Sequence, residues 1–282
     1  MALVPIAEII GPACVAGAGV AAFNVIGIEH AEAIVAGAEA ARAPVILQVS
    51  ENCVRYHRAL APIGHAVLAI AGMAAIPAAV HLDHATSEDL VREAVQLGFG
   101  SVMYDASQRA YSANVAATAD ITTWCHHRAV WVEAELGEIG GKDGVHKPGA
   151  RTRPGEAASF VAATGVDALA VAVGSSHAML TRDAVLDLDL IKAIRAEVPV
   201  PLVLHGSSGV PDETLSEAIV AGLTKINVAT QLNKVFTAAV RGCLASDGNV
   251  TDPRRYLSAG REAIITEVSR LLEVLLAAGR HP

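Results

Sequence analysis

A (β/α)8 barrel, an α/β fold of eight parallel strands each followed by a helix, is the architecture this sequence predicts. Three observations carry that expectation. Short β-rich apolar runs alternate with Ala-rich helical stretches almost from end to end. Several of the runs are apolar throughout, as befits parallel strands buried on both faces. Composition does not shift between the two halves of the 282 residues, so one domain over 1–282 is expected in place of a doubly wound pair.

The strands fall near 20–24, 44–49, 78–83, 100–104, 130–135, 167–173, 201–205 and 223–228. Helical patterns follow them near 28–42, 60–75, 87–97, 111–127, 155–164, 186–197, 212–221 and 230–245. The stretch 252–278 opens on Asp252-Pro253 and is amphipathic, which predicts additional C-terminal helices. Two stretches read as loops, 50–60 and the longer 137–155. The second carries Gly137, Gly140, Gly141, Gly144, Pro148, Gly149 and Pro154, the composition of a mobile lid.

Composition narrows the function classes. Hydrophobic residues make up 52% of the chain, yet no uninterrupted apolar stretch reaches the ~18 residues of a membrane span. The opening Met-Ala-Leu-Val-Pro lacks the basic region of a cleaved signal. Cys14, Cys53, Cys125 and Cys243 are far apart with no C-x-x-C pair, so reduced thiols and a cytoplasmic location are expected. A formal charge of −8 argues against a nucleic-acid partner but leaves room for a local site that takes a small anion.

The chemistry gathers at strand ends. The run Ala78-Ala79-Val80-His81-Leu82-Asp83-His84 closes on a carboxylate beside an imidazole. Val171-Ala172-Val173-Gly174-Ser175-Ser176-His177 and Pro201-Leu202-Val203-Leu204-His205-Gly206 end on histidines as well. Active sites of such barrels lie at the C-terminal ends of the strands. His84, His177 and His205, after strands 3, 6 and 7, therefore form a candidate open metal site with three protein ligands. His81 shares the strand parity of Asp83 and reads as a core or supporting group. His57, His65, His126, His127 and His146 fall in loops or helices and carry no such signal. Asp105 and Glu135 end strands 4 and 5 and read as site residues, with Glu133 at the parity of Glu135. Trp124 and Trp131 read as packing groups.

A phosphate cradle is the second feature. Gly206-Ser207-Ser208-Gly209 follows strand 7, and Asn227-Val228-Ala229-Thr230 leads from strand 8 into a helix. Loops at these two positions hold phosphate in this architecture, through backbone N–H groups and a helix N-terminus. Gly174-Ser175-Ser176 could add donors.

These residues resemble the class II, zinc-dependent ketose-bisphosphate aldolases of the fructose- and tagatose-bisphosphate type. The resemblance runs from Ala22-Phe23-Asn24 to Asp252-Pro253-Arg254-Arg255-Tyr256-Leu257. It rests on His81-Leu82-Asp83-His84, Ser101-Val102-Met103-Tyr104-Asp105-Ala106-Ser107 and Val132-Glu133-Ala134-Glu135-Leu136-Gly137. His205-Gly206-Ser207-Ser208-Gly209 and Lys225-Ile226-Asn227-Val228-Ala229-Thr230 complete it.

The resemblance implies Zn2+ on His84, His177 and His205, with Asp105 and Glu135 near the metal as a second position. It implies Asp83 as the group that exchanges a proton with the substrate oxygen at the breaking bond. Dihydroxyacetone phosphate would be held by Gly206, Ser207, Ser208, Asn227, Val228, Ala229 and Thr230, with Asn24 and Ser50 toward the far phosphate. A small phosphorylated sugar as substrate, a homodimer or homotetramer with contacts from the C-terminal helices, and an accompanying monovalent cation (Na+ or K+) are implied likewise.

Two departures mark this chain. The family usually has Glu on the loop after strand 5 where Asp143 falls, one methylene shorter, and Glu138 is the fallback acid. Ala178 stands where Gly commonly follows the second zinc histidine. Both departures point to a subfamily with its own sugar, and 2-deoxy-5-keto-gluconate 6-phosphate is a further candidate beside fructose and tagatose 1,6-bisphosphate. Three rivals remain. Lys225, at the strand parity of Asn227, could form a metal-free Schiff base. A zinc hydrolase could use Asp83 as base, and a non-catalytic protein could simply bind sugar phosphates.

Overall fold

Long apolar runs close on themselves here because every strand finds a parallel neighbour on both sides. The computed structural model of the chain describes residues 2–136, 151–176 and 179–279. Its strands are β1 Val20–Asn24, β2 Val45–Ser50, β3 Ala78–Ala85, β4 Ser101–Tyr104, β5 Trp131–Glu135, β6 Ala168–Ala170, β7 Leu202–Leu204 and β8 Leu223–Val228. They pair in chain order, and β8 returns to pair with β1, giving the expected (β/α)8 TIM barrel. Strand 6 is shorter than the sequence predicts. Beyond Ala170 the N–H of Ala172 donates to the Thr152 hydroxyl at 2.8 Å and its carbonyl accepts from the Thr152 N–H at 3.0 Å.

The helices around the barrel are α1 Ala7–Ala16, α2 Ile28–Ala41, α3 Glu51–His57, α4 Leu60–Met73, α5 Glu88–Leu97 and α6 Tyr111–His126. They continue as α7 Pro154–Thr164, α8 Leu188–Glu197, α9 Asp212–Ala221, α10 Thr230–Ser246 and α11 Pro253–Ala278. Three of these differ from the sequence expectation. Helix α1, before the first strand, was not anticipated, although Ile6, Ile9, Ile10 and Ala13 have helical spacing and are all buried. The stretch 50–60, expected to be a loop, is mostly helix. Ser50 caps α3 by accepting from the Cys53 N–H at 3.2 Å, and only Arg58, in a left-handed conformation, and Ala59 separate α3 from α4. The tail is one helix, α11, started by Asp252 accepting from the Arg254 N–H at 3.0 Å. The expected lid, 137–155, lies outside the described residues up to 150, and α7 begins at its end.

The barrel interior is layered. At the N-terminal end of the strands, Val20, Ala22, Ile46 and Ala79 meet Ile6, the N-cap of α1, and Ile9 and Ile10 within it, which plug that mouth with apolar side chains. One layer further along, the inward positions become polar, with Gln48, His81, Glu133 and Lys225 all fully buried. The strand register sets Gln48 beside His81, and Ser50 beside Asp83. Polarity thus rises toward the end where barrels of this type carry their chemistry. All four cysteines are free, and burial pushes the Cys53 and Cys125 thiols up to about 11. Among the described residues no helix is long and apolar enough to cross a membrane.

Helix α11 packs along α2 and α10, so its apolar stripe is consumed within the chain. The approach to α2 is close enough to require glycine. A Cβ on Gly37 would lie 2.7 Å from the Val268 Cβ and 2.8 Å from the Ile265 carbonyl oxygen. Gly37→Val is therefore expected to lower unfolding stability by about 1–3 kcal/mol through overpacking. Gly242→Ala, in α10 with open space around it, is expected to raise stability by about 0.5–1 kcal/mol. Urea unfolding of the two variants checks both signs.

Candidate active site

Strand alternation alone would send Asp83 and His84 to opposite faces of β3. The structure departs from alternation here. The β3–β4 register shifts between Leu82 and Ala85, and His84 adopts a left-handed φ of 52°. A bulge of this kind re-aims a side chain. The His84 Nε2 comes to 4.0 Å from Asp83 Oδ1, and both residues line the same cavity.

Around them stand the ends of neighbouring strands. His84 Nδ1 is 2.8 Å from Oδ2 of Asp105, the residue after β4. His205, the residue after β7, is fully buried with its ring centroid 4.6 Å from that of His84. Its Nε2 is 3.0 Å from Glu133 Oε1 and its Nδ1 is 3.5 Å from Glu135 Oε2. His84 thus has one nitrogen held by a buried carboxylate and His205 has a carboxylate beside each nitrogen, and hydrogen bonds of this kind orient metal-ligating histidines. Donor atoms of Asp83, His84 and His205 all lie within 4.8 Å of one another, as do those of His84, Asp105 and Glu135. Two overlapping sets of nitrogen and oxygen donors fit a small divalent cation.

Electrostatics point the same way. Burial raises the Asp83 carboxyl, but His84, His205 and Lys225 outweigh it and bring it down to about 2. Burial lowers His205, yet the hydrogen bonds its ring donates to the Glu133 and Glu135 carboxylates, with their negative charge, push it up to about 9. A metal ion on this ring would have to displace the proton that the two carboxylates favour. His81 is brought down to about 3 by burial and by Lys225, so it is a neutral ring, with Nδ1 2.9 Å from the Ser101 hydroxyl. Glu133 is held low against its own burial by Lys225 and His205.

The cavity has a volume of about 450 Å3. Asn24, Ser50, Asp83, His84 and Asp105 line it, together with Gly206, Ser208, Asn227, Ala229 and Thr230. Gly206 has a φ of 68°, and a Cβ there would sit 2.5 Å from the Ser176 carbonyl oxygen, so only glycine fits. Ala229, at the N-cap of α10, offers no side-chain cap, and the Gln231 N–H in the first turn donates instead to the Ser208 hydroxyl at 3.1 Å. Ser207 and Val228 are buried and do not line the cavity, and the Ser207 hydroxyl donates to the Asn227 carbonyl. Glu135 and His205 lie beneath the floor. His177, Ala178, Asp143 and Glu138 lie outside the described residues.

Lys225 points inward, as its parity predicts, and is fully buried. Its Nζ lies 2.8 Å from Glu133 Oε2, 2.9 Å from Asn227 Oδ1 and 3.4 Å from Gln48 Oε1. An ammonium spending all three N–H groups in this way has no lone pair to offer a ketone, which removes the geometric basis of the imine route. Sequence reasoning missed Gln48, although one amide inside the apolar run Val45-Ile46-Leu47-Gln48-Val49 is a readable signal. It also missed Arg55 and Arg109, exposed guanidiniums at the cavity rim that no strand pattern reveals.

Comparisons with known proteins agree with this geometry. Residues 4–280 match the family model for fructose-bisphosphate aldolase class-II. A fructose-bisphosphate aldolase of Geobacillus stearothermophilus is 39% identical over 268 residues, 94% of this chain and 93% of that protein. The crystal structure of the YdjI aldolase of Escherichia coli K12 superposes with a TM-score of 0.84 at 29% identity, covering 99% of this chain and 100% of that one. A Coccidioides immitis protein solved as a candidate fructose-1,6-bisphosphate aldolase gives 0.87 at 26% identity over 98% and 97%. With the eight-stranded barrel and the strand-end cluster, these matches make the chain a member of the class II fructose-bisphosphate aldolase family, and so a lyase.

Proposed function

We propose that this aldolase is zinc-dependent and reversibly cleaves a ketose 1,6-bisphosphate, fructose or tagatose 1,6-bisphosphate, to dihydroxyacetone phosphate and glyceraldehyde 3-phosphate. One observation carries the reading. Asp83 and His84 line one cavity with Gly206, Ser208, Ala229 and Thr230, and buried His205 completes their donor cluster, at the end of the barrel where substrates bind. His84 and His205, with His177 as the proposed third ligand, suit Zn2+, and Asp105 and Glu135 offer it a second position. Bound there, the ion supplies Lewis-acid polarisation of the ketose carbonyl and its neighbouring hydroxyl.

The protein's own groups do the rest. Asp83, ionised and buried, accepts the C4 hydroxyl proton as the C3–C4 bond breaks. The C4 oxygen becomes the aldehyde carbonyl, and the bond pair stays with the three-carbon fragment. In condensation the same proton returns from Asp83 to the aldehyde oxygen. Asp143 is the proposed acid that protonates C3 to release dihydroxyacetone phosphate, with Glu138 as the fallback. Gly206, Ser208, Asn227, Ala229 and Thr230, which line the cavity, are proposed to hold the phosphate of that fragment through backbone N–H groups, with buried Ser207 and Val228 supporting them from behind. Asn24 and Ser50 face the other end of the substrate. A homo-oligomer and an accompanying Na+ or K+ belong to the same proposal.

The test is a panel of phosphorylated ketoses, 2-deoxy-5-keto-gluconate 6-phosphate included, incubated with zinc-loaded protein and coupled to detection of dihydroxyacetone phosphate. Triose phosphate from neither ketose 1,6-bisphosphate would overturn the substrate assignment. Asp83→Asn is expected to lower kcat for cleavage by about 10²–10⁴ while the fold is kept. Chelator should abolish turnover and added Zn2+ restore it. Borohydride with substrate should leave Lys225 unmodified, as peptide mass analysis would report.

A further inference from the structure

Lys225 takes no direct part in the proposed cleavage, yet it is among the largest fully buried side chains in the molecule. Its environment has a directional property. An ammonium has three donors and no acceptor, so every group bonded to it must present oxygen. Gln48, Glu133 and Asn227 all do so. An amide that turns its oxygen one way turns its NH2 the other. Gln48 therefore donates through Nε2, and the acceptor is Asn24 Oδ1 at 2.7 Å. Asn24, with its oxygen occupied, donates through Nδ2 to Asp83 Oδ2 at 2.9 Å. Asp83 Oδ1 is buried and has no hydrogen-bond partner among the described residues.

We propose that Lys225 is a positioning residue that sets the polarity of the site's amides, and through Gln48 and Asn24 keeps one oxygen of Asp83 occupied and leaves the other without a hydrogen-bond partner among the described residues, to accept the substrate proton. The proposal rests on the aldolase reading above. Were Asn24 reversed, its carbonyl oxygen would face a carboxylate with no proton between them, which repels unless Asp83 is already protonated. A protonated Asp83 cannot accept from the C4 hydroxyl. The donor-only ammonium excludes that arrangement from two residues away. Its second branch turns the Asn227 NH2 away from Lys225, and Asn227 lines the cavity. Its third branch runs through Glu133, whose other oxygen lies 3.0 Å from His205 Nε2. One buried cation thus reaches the base, the substrate wall and an imidazole of the donor cluster.

Gln48→Glu separates this role from simple support. The new carboxylate still accepts from Lys225 but has no hydrogen for Asn24, so the Asn24 amide turns and presents its oxygen to Asp83. Two rates are measured on the zinc-loaded enzyme. One is ketose bisphosphate cleavage, which uses Asp83. The other is exchange of the dihydroxyacetone phosphate C–H proton with deuterated solvent, which involves no C4 hydroxyl and no Asp83. The expected result is a fall of roughly tenfold or more in kcat for cleavage, KM within about threefold, and exchange within about twofold of the parent. Cleavage unchanged, or both rates falling together, would overturn the proposal. Should Gln48→Glu fail to fold by circular dichroism, Gln48→Met carries no charge, and the same split between the two rates is required of it. A parent enzyme with neither activity would sink the aldolase reading itself.

Discussion

The buried Lys225–Glu133 ion pair is the interaction on which the rest of the site depends. Removing an ammonium and a carboxylate from water costs several kcal/mol per ion even after relaxation, and attraction alone does not repay it unless the remaining donors and acceptors are met. Here they are met. Lys225 has three oxygen partners, and each Glu133 oxygen faces a positive or hydrogen-bearing group. A charge so fully engaged has few alternative arrangements, which is how a polar layer inside a barrel can be rigid. The electrostatics of the cavity floor follow from it. Lys225 helps to hold Asp83 ionised and His81 neutral, while Glu133 holds a proton on His205.

The architecture makes that layer affordable. Apolar side chains of α1 and the strand beginnings seal one mouth, so the polar groups are dry on that side and open toward the other. Ascending β3, Ala79, His81 and Asp83 pass from sealing the plug, through the supporting layer, to the cavity. Each step of two residues changes the job of the side chain without changing the direction in which it points.

Much of this was legible in the chain. Eight apolar runs at regular spacing specify the barrel, because both faces of each strand are covered and little else satisfies such runs. Inward parity was readable for Glu133 and Glu135 because β5 pairs regularly, and for Lys225 and Asn227 because the β7–β8 register shift falls before Lys225. At His84 parity fails. A bulge and a left-handed residue turn that ring toward Asp83, and no local pattern in Asp83-His84-Ala85 announces either. Helix α3 was missed because Ser50-Glu51 reads equally as strand end and helix cap, and the chain uses it as both. Gln48 was overlooked because its value lies in partners 24 and 177 positions distant, Asn24 and Lys225, which no window along the chain brings together.

Helix α11 lies over α2, and β8 hydrogen-bonds β1. These contacts join the opening segments to the closing ones, so during synthesis on the ribosome the barrel stays an open, unpaired sheet until β8 has emerged. Until then two strand edges stay bare, and non-local parallel pairing of this kind is intrinsically slow and exposed to aggregation.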